Sequence, residues 1–191
     1  MRVTGGTSPT YTFTGILLYN GNFWVDGNYI GAKSDGTKSV YLRDREKGLE
    51  ARAIYSFSNG KAPIIENNII SNITIENINV LAEASLYGIH QENSFSDAPI
   101  YRNNKIYDLS NLGISTVGNG IYGIMCNSTD GTIIEKNSIY NLNNNHNRGV
   151  LAGILTSGAT FSGDYYIYNN LVTLGYNQSG DHLIWGIRIN T

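Results

Sequence analysis

A single cysteine, Cys126, stands in 191 residues, which excludes an internal disulfide framework. Charge is scarce too. Asp, Glu, Lys and Arg make up 15% of the chain, against roughly 25% in an average domain, and Asn, Gly, Ser, Thr and Tyr take their place. The net charge is −2 with no basic stripe, so the electrostatic footprint of a nucleic-acid binder is missing. No apolar run approaches the ~18 residues of a membrane span, and the first residues, Met1 to Gly6, have no apolar stretch resembling a signal peptide. Amphipathic stretches of helix length are missing as well, which argues against arrays of helical repeats. A polar, uncharged, β-rich composition of this kind points to a secreted or cell-surface protein.

What the chain does have is a repeat. Ile64-Ile65-Glu66-Asn67-Asn68-Ile69-Ile70 returns as Ile100-Tyr101-Arg102-Asn103-Asn104-Lys105-Ile106, then as Ile133-Ile134-Glu135-Lys136-Asn137-Ser138-Ile139 and Tyr166-Ile167-Tyr168-Asn169-Asn170-Leu171-Val172. Trp24-Val25-Asp26-Gly27-Asn28-Tyr29-Ile30 is a degenerate first copy. The last Asn of each copy falls at 28, 68, 104, 137 and 170, in steps of 40, 36, 33 and 33. A second anchor runs in step: Leu86-Tyr87-Gly88-Ile89, Ile121-Tyr122-Gly123-Ile124, Leu151-Ala152-Gly153-Ile154 and Ile184-Trp185-Gly186-Ile187. Thr14-Gly15-Ile16 and Arg52-Ala53-Ile54 are weaker versions. Periods of this length belong to solenoids, whose units bury their apolar faces only by stacking.

The short segments are rich in Ile, Val and Tyr, as strands are. Coils of two or three such strands, stacked in one direction about 4.8 Å apart, form parallel sheets along a cylinder. The expected fold is therefore all-β, a solenoid of about five coils with no evident caps, read as one domain over residues 1–191. The apolar columns Ile64, Ile100, Ile133 and Tyr166; Ile70, Ile106, Ile139 and Val172; and Ile89, Ile124, Ile154 and Ile187 are its expected core. Asn68, Asn104, Asn137 and Asn170 are expected to form a hydrogen-bonded ladder, as amides do in other in-register stacks. Each would also supply the left-handed backbone that a sharp corner needs. Gly88, Gly123, Gly153 and Gly186 read as places where a side chain would clash or φ is positive. Cys126 reads as a small buried core residue.

Asn-x-Ile with Gly-Ile some twenty residues on, repeated from about residue 13 to 191, resembles the right-handed parallel β-helix repeat proteins of the pectate-lyase-like superfamily. Gly27-Asn28-Tyr29-Ile30-Gly31 followed by Ser34-Asp35-Gly36-Thr37 is similar to a segment of its bacterial surface members. The resemblance implies a right-handed β-helix. Activity does not follow from it, since the superfamily holds lyases, hydrolases, epimerases and adhesins and a shared fold does not transfer function.

Three function classes are expected from these residues. The first is a non-catalytic extracellular module, a scaffold or a carbohydrate-binding surface. Tyr87, Tyr122 and Trp185 before the Gly column, with Tyr107 and Tyr140 after the Asn column, would be sugar-stacking platforms if they face solvent and packing residues if they do not. The second class is a polysaccharide lyase or glycoside hydrolase. Glu66, Arg102 and Glu135 stand one above another about 5 Å apart. The bland reading of this row is an exposed salt-bridge ladder. The resemblance implies the other, carboxylates holding Ca²⁺ with Arg102 as the base. No metal or other cofactor is expected outside that case.

The hydrolase signatures of the superfamily are matched poorly. Asn127-Ser128-Thr129-Asp130-Gly131, Gly180-Asp181-His182 and Arg188-Ile189-Asn190 are displaced or degenerate, and the Asp pair is absent. The three histidines, His90, His146 and His182, lack metal-ligand spacing and read as surface residues. The third class is an adhesin-like stalk that associates end to end, since neither end shows a capping helix and the chain reads as a piece of a longer surface protein. Residues 33–52 hold ten of the 28 charged residues and read as a solvated loop inserted in the first coil.

Overall fold

The computed structural model describes residues 10–31, 40–57, 61–92, 97–114, 118–127, 131–145, 149–157, 164–174 and 183–190. Among these, every regular element is a strand and every strand pairing is parallel. Sheet A has six strands, ordered β1 (Thr10–Leu18), β5 (Gly48–Phe57), β8 (Ala84–Glu92), β11 (Asn119–Asn127), β14 (Gly149–Ser157) and β17 (Leu183–Asn190). Sheet B has five short ones: β2 (Trp24–Asp26), β6 (Ile64–Glu66), β9 (Ile100–Arg102), β12 (Thr132–Glu135) and β15 (Tyr165–Tyr168). Sheet C stacks β7 (Ile69–Asn77), β10 (Lys105–Asn111), β13 (Ser138–Asn144) and β16 (Leu171–Thr173), with β3 (Tyr29–Ile30) and β4 (Val40–Asp44) both pairing with β7. The chain visits the three sheets in rotation, so each circuit stacks on the last. This is a parallel β-solenoid, as the repeat implies.

The expected columns hold residue for residue. Ile64 pairs with Ile100 and Ile100 with Ile133, Ile70 with Ile106 and Ile106 with Ile139, and Ile89 with Ile124 and Ile124 with Ile154. One column faces the wrong way. In sheet B the core is Val25, Ile65, Tyr101, Ile134 and Ile167, of which Ile65, Tyr101 and Ile134 are fully buried. Ile64, Ile100 and Ile133 are half-buried on the outer side, and Tyr166 is 50% exposed. A strand of three residues gives too little alternation to choose between its faces, and a slip of one residue exchanges them. The core rows of sheets A and C, Ile54, Ile89, Ile124 and Ile154 with Ile70, Ile106 and Ile139, are fully buried. Cys126 lies among them, its thiol against the Tyr101 hydroxyl, and burial pushes the thiol up to about 12.

The Asn ladder is present, with a corrected corner. Asn28, Asn68, Asn104 and Asn137 each donate both the backbone N–H and Nδ2 to Oδ1 of the next Asn, at 2.9–3.1 Å, up to Asn170. Nδ2 also reaches back one coil: from Asn68 to the Val25 carbonyl, Asn104 to Ile65, Asn137 to Tyr101 and Asn170 to Ile134, at 2.8–2.9 Å. The left-handed residue is the one before each ladder Asn: Gly27, Asn67, Asn103, Lys136 and Asn169, with φ of 54–67°. Labour is thus divided. One residue makes the corner with its side chain outward, and the next turns its amide inward to tie three coils together. A second left-handed row, Asn72, Asp108 and Asn141, lies four residues after Asn68, Asn104 and Asn137.

The Gly column works through close approach, since none of its members has positive φ. A Cβ at Gly88, Gly123 or Gly153 would fall 2.6–2.7 Å from the carbonyl of the next coil and 2.3–2.7 Å from an Ile or Val side chain of sheet C. At Gly186 it would meet nothing within 4 Å among the described residues, so the clash expected there is absent among them.

The charged stretch also needs correction. Residues 32–39 lie outside the described residues, but Val40–Asp44 forms β4 in register with β7, and Gly48 to Arg52 begin β5 in register with β1 and β8. This half of the expected loop is solenoid wall.

Candidate functional site

Register in sheet A decides what its outer face carries. Arg52 of β5 stands beside Tyr87 of β8, which stands beside Tyr122 of β11; Tyr55 stands beside His90, and Phe57 beside Glu92. Two consecutive inward residues, Ala53-Ile54 in β5 and Gly88-Ile89 in β8, shift the strand alternation by one. Glu50, Arg52, Tyr87 and Tyr122 therefore share an outer face with Tyr55, Phe57, His90 and Glu92 across three adjacent coils.

The result is a tight polar cluster. Arg52 Nη2 is 2.7 Å from Glu50 Oε1 and 3.7 Å from Glu92 Oε1. Its Nε donates to His90 Nδ1 at 3.1 Å, and its guanidinium lies 4.1 Å over the Tyr55 ring. The Tyr55 hydroxyl donates to Glu92 Oε2 at 2.6 Å. Because Nδ1 accepts, the imidazole proton sits on Nε2, which faces Glu92 Oε1 at 3.6 Å. His90 stacks on Tyr87 at 4.2 Å, and Tyr87 on Tyr122 at 4.9 Å.

Electrostatics follow from this packing. Burial, and then the Arg52 charge, lower His90 to about 3, so the imidazole is neutral at pH 7. Burial raises the Glu50 carboxyl, an effect the neighbouring Arg52 opposes. The Tyr55 hydroxyl is raised by burial and by its bond to Glu92, and Tyr87 and Tyr122 by burial. His90 is 3% exposed, so its reading as a surface histidine is corrected. Its neighbours on three strands cover a residue that alternation alone would leave in solvent. His146 and His182 lie outside the described residues.

The aromatic residues named from the sequence fall on two faces. Tyr87, Tyr122 and Trp185 share one outer row of sheet A, interrupted by Ala152, and Arg188 lies 3.7 Å over the Trp185 ring. Tyr107 and Tyr140 stack at 4.9 Å on sheet C. In both pairs the rings lie against each other along the solenoid, so they present edges and hydroxyls outward, and the flat platforms expected from the sequence are largely used up by stacking.

The carboxylate–arginine row is where the sequence put it, on sheet B. Arg102 Nε is bonded to Glu66 Oε2, and Trp24 Nε1 donates to Glu66 Oε1 at 2.6 Å. Tyr168 bonds Glu135, which also sits 3.6 Å from Lys136 Nζ. The Arg102 guanidinium holds the Glu66 carboxyl below the usual carboxylate range, and Glu66 in turn makes Arg102 hold its proton more tightly. Proton abstraction needs the reverse. The donor set does not fit Ca²⁺, which takes six to eight oxygens, because both Glu66 oxygens are already engaged and a guanidinium stands between the two carboxylates. Among the described residues no three His, Cys, Asp or Glu side chains gather as a metal ion requires.

Of the hydrolase-like signatures, residues 128–130 and 180–182 lie outside the described residues, and Arg188-Ile189-Asn190 ends β17, where Arg188 Nε donates to Asn190 Oδ1 at 2.6 Å. No described helix is long and apolar enough to cross a membrane. No family model, curated protein or solved structure matches this chain.

Glu50, Arg52, Tyr55 and Glu92 were not singled out from the sequence, although the signal was there. Aligning Arg52-Ala53-Ile54 with Tyr87-Gly88-Ile89 already puts Glu50 and Arg52 in the outer rows of Ser85 and Tyr87, and Tyr55 beside His90.

Proposed function

We propose that the chain is a non-catalytic, extracellular β-helix module that binds carbohydrate through the outer face of sheet A. What carries the reading is the Glu50–Arg52–Tyr55–His90–Glu92 cluster. It is partly exposed, fixed on two rigid strands, and offers carboxylate acceptors. A wall that served only as a scaffold has no need to hold two carboxylates and a guanidinium half-buried, where desolvation works against the charges. Sugar hydroxyls can donate, and they suit such acceptors. The right-handed winding and the kinship with pectate-lyase-like proteins of bacterial surfaces are part of the same proposal, supported by the Asn-x-Ile and Gly-Ile repeats. The scarcity of charge supports secretion.

The test is affinity electrophoresis in native gels containing arabinoxylan, galactomannan, hydroxyethylcellulose, polygalacturonate or alginate. Retardation by at least one polymer, lost in Arg52→Ala with the far-ultraviolet spectrum unchanged, is the expected result. Retardation that survives Arg52→Ala and Tyr87→Ala together would move the site elsewhere.

A further inference from the structure

We propose that the sheet A site accepts glycans without carboxylates and turns away uronate polymers. This rests on the carbohydrate reading and adds the charge class of the ligand.

The argument is one of charge and of donors already committed. Glu50 and Glu92 carry two negative charges against the single positive charge of Arg52, and the imidazole between them is neutral. The cluster therefore has a net charge of about −1 at neutral pH, and Glu83 lies close enough to act on Glu50 as well. A uronate is best held by an arginine that offers a free two-pronged edge. Arg52 offers none: Nη2 faces Glu50 and Glu92, Nε is spent on His90, and one face of the guanidinium covers Tyr55. Glu92 Oε2 takes the Tyr55 hydroxyl, which leaves that hydroxyl committed too. What the cluster still offers is acceptor capacity. Each carboxylate has about four lone-pair sites, and the Glu50 and Glu92 side chains are 22% and 31% exposed. Vicinal sugar hydroxyls can donate into them, as charge-assisted bonds. A carboxylate on the sugar would instead meet two like charges and an arginine with no free two-pronged edge.

The same gels separate this inference from the reading beneath it. The wild-type protein is expected to be retarded by neutral polymers (arabinoxylan, galactomannan or hydroxyethylcellulose) and to run unretarded in polygalacturonate and alginate. Glu92→Gln, at the more exposed acid, should weaken neutral binding about tenfold, the loss of one bond to a charged acceptor. Glu50→Gln/Glu92→Gln frees Arg52 and reverses the net charge, so this variant should gain retardation in polygalacturonate. That gain should vanish at about 1 M salt, where the screening length is about 3 Å. If the double variant fails to fold by circular dichroism, Glu92→Gln carries the test, with weaker neutral binding and a faint uronate gain expected. Wild-type retardation by uronates as strong as by neutral polymers overturns the inference while leaving carbohydrate binding intact. Neutral binding with no uronate gain in any folded variant overturns it as well. No retardation of any protein in any gel sinks both readings together.

Discussion

Replacing Asn104 by Ala should be among the most damaging single changes in this fold. Its side chain is fully buried and makes four hydrogen bonds: Oδ1 accepts from Asn68 N and Nδ2, and Nδ2 donates to the Ile65 carbonyl and to Asn137 Oδ1. Asn68 Nδ2 keeps its bonds to Val25 and Glu66, and Asn137 Oδ1 keeps the Asn104 N–H. The Asn68 N–H and the Ile65 carbonyl lose these partners in a dry interior. At about 1–3 kcal/mol for each buried group left short of a partner, the loss is roughly 2–6 kcal/mol, a large share of the ~5–15 kcal/mol that holds a domain together. In urea unfolding followed by far-ultraviolet circular dichroism, the midpoint should fall by about 1–2 M. Asn170→Ala makes the internal control, because Asn170 is partly exposed and water can replace its bonds. It should lose about 1 kcal/mol. Asn104→Asp keeps the acceptor but turns an oxygen toward the Ile65 carbonyl. Its folded-state pKa is raised, so its stability should be greatest at acid pH and fall as pH rises. A loss at Asn104→Ala no greater than at Asn170→Ala would refute the claim that the ladder ties the coils together.

Three further outcomes follow from single contacts. Gly123→Ala should lose about 1–3 kcal/mol, because its Cβ would sit 2.6 Å from the Gly153 carbonyl, while Gly186→Ala should be near neutral; equal losses in thermal melts would argue against close approach as the reason for the column. Lys136 holds φ at 54° where its counterparts are Gly or Asn, and Lys136→Asn should raise stability by about 0.5–1 kcal/mol, since left-handed backbone suits Asn and strains Lys; a drop in melting temperature would contradict this. Glu66 has its folded pKa lowered by Arg102. Its contribution is therefore present above the unfolded value of about 4.3 and is lost as pH falls through the lower folded value. Arg102→Met should flatten that acid limb, and an unchanged limb in a pH series of melts would show that the pair does not matter.

The solenoid was legible because its grammar is periodic. Asn68, Asn104, Asn137 and Asn170 recur in register with Gly-Ile, and nothing but stacked coils satisfies both rows. Orientation was less legible where strands are short: Ile64-Ile65-Glu66 does not announce which Ile faces in. The corner was misplaced by one residue because two adjacent Asn, as in Asn67-Asn68, are equally able to take left-handed backbone. Gly27 before Asn28 was the hint that the corner comes first, while Lys136 before Asn137 pointed the other way, because left-handed backbone strains Lys. The candidate site was the least legible part. Its members come from two coils, Glu50, Arg52 and Tyr55 from one and His90 and Glu92 from the next, and they meet only once register is known. The charges in residues 33–52 looked like a loop for the same reason. Density of charge along the chain says nothing about which strands those charges share.

The most direct test of the account is a ¹H–¹⁵N NMR titration of the whole chain with xylohexaose, mannohexaose and cellohexaose in turn. Binding at the proposed site predicts saturable shifts confined to the amides of Glu50 to Phe57, Ser85 to Glu92 and Gly120 to Met125, with sheets B and C unmoved. Shifts centred on Glu66, Arg102 and Glu135, or on Tyr107 and Tyr140, would contradict it.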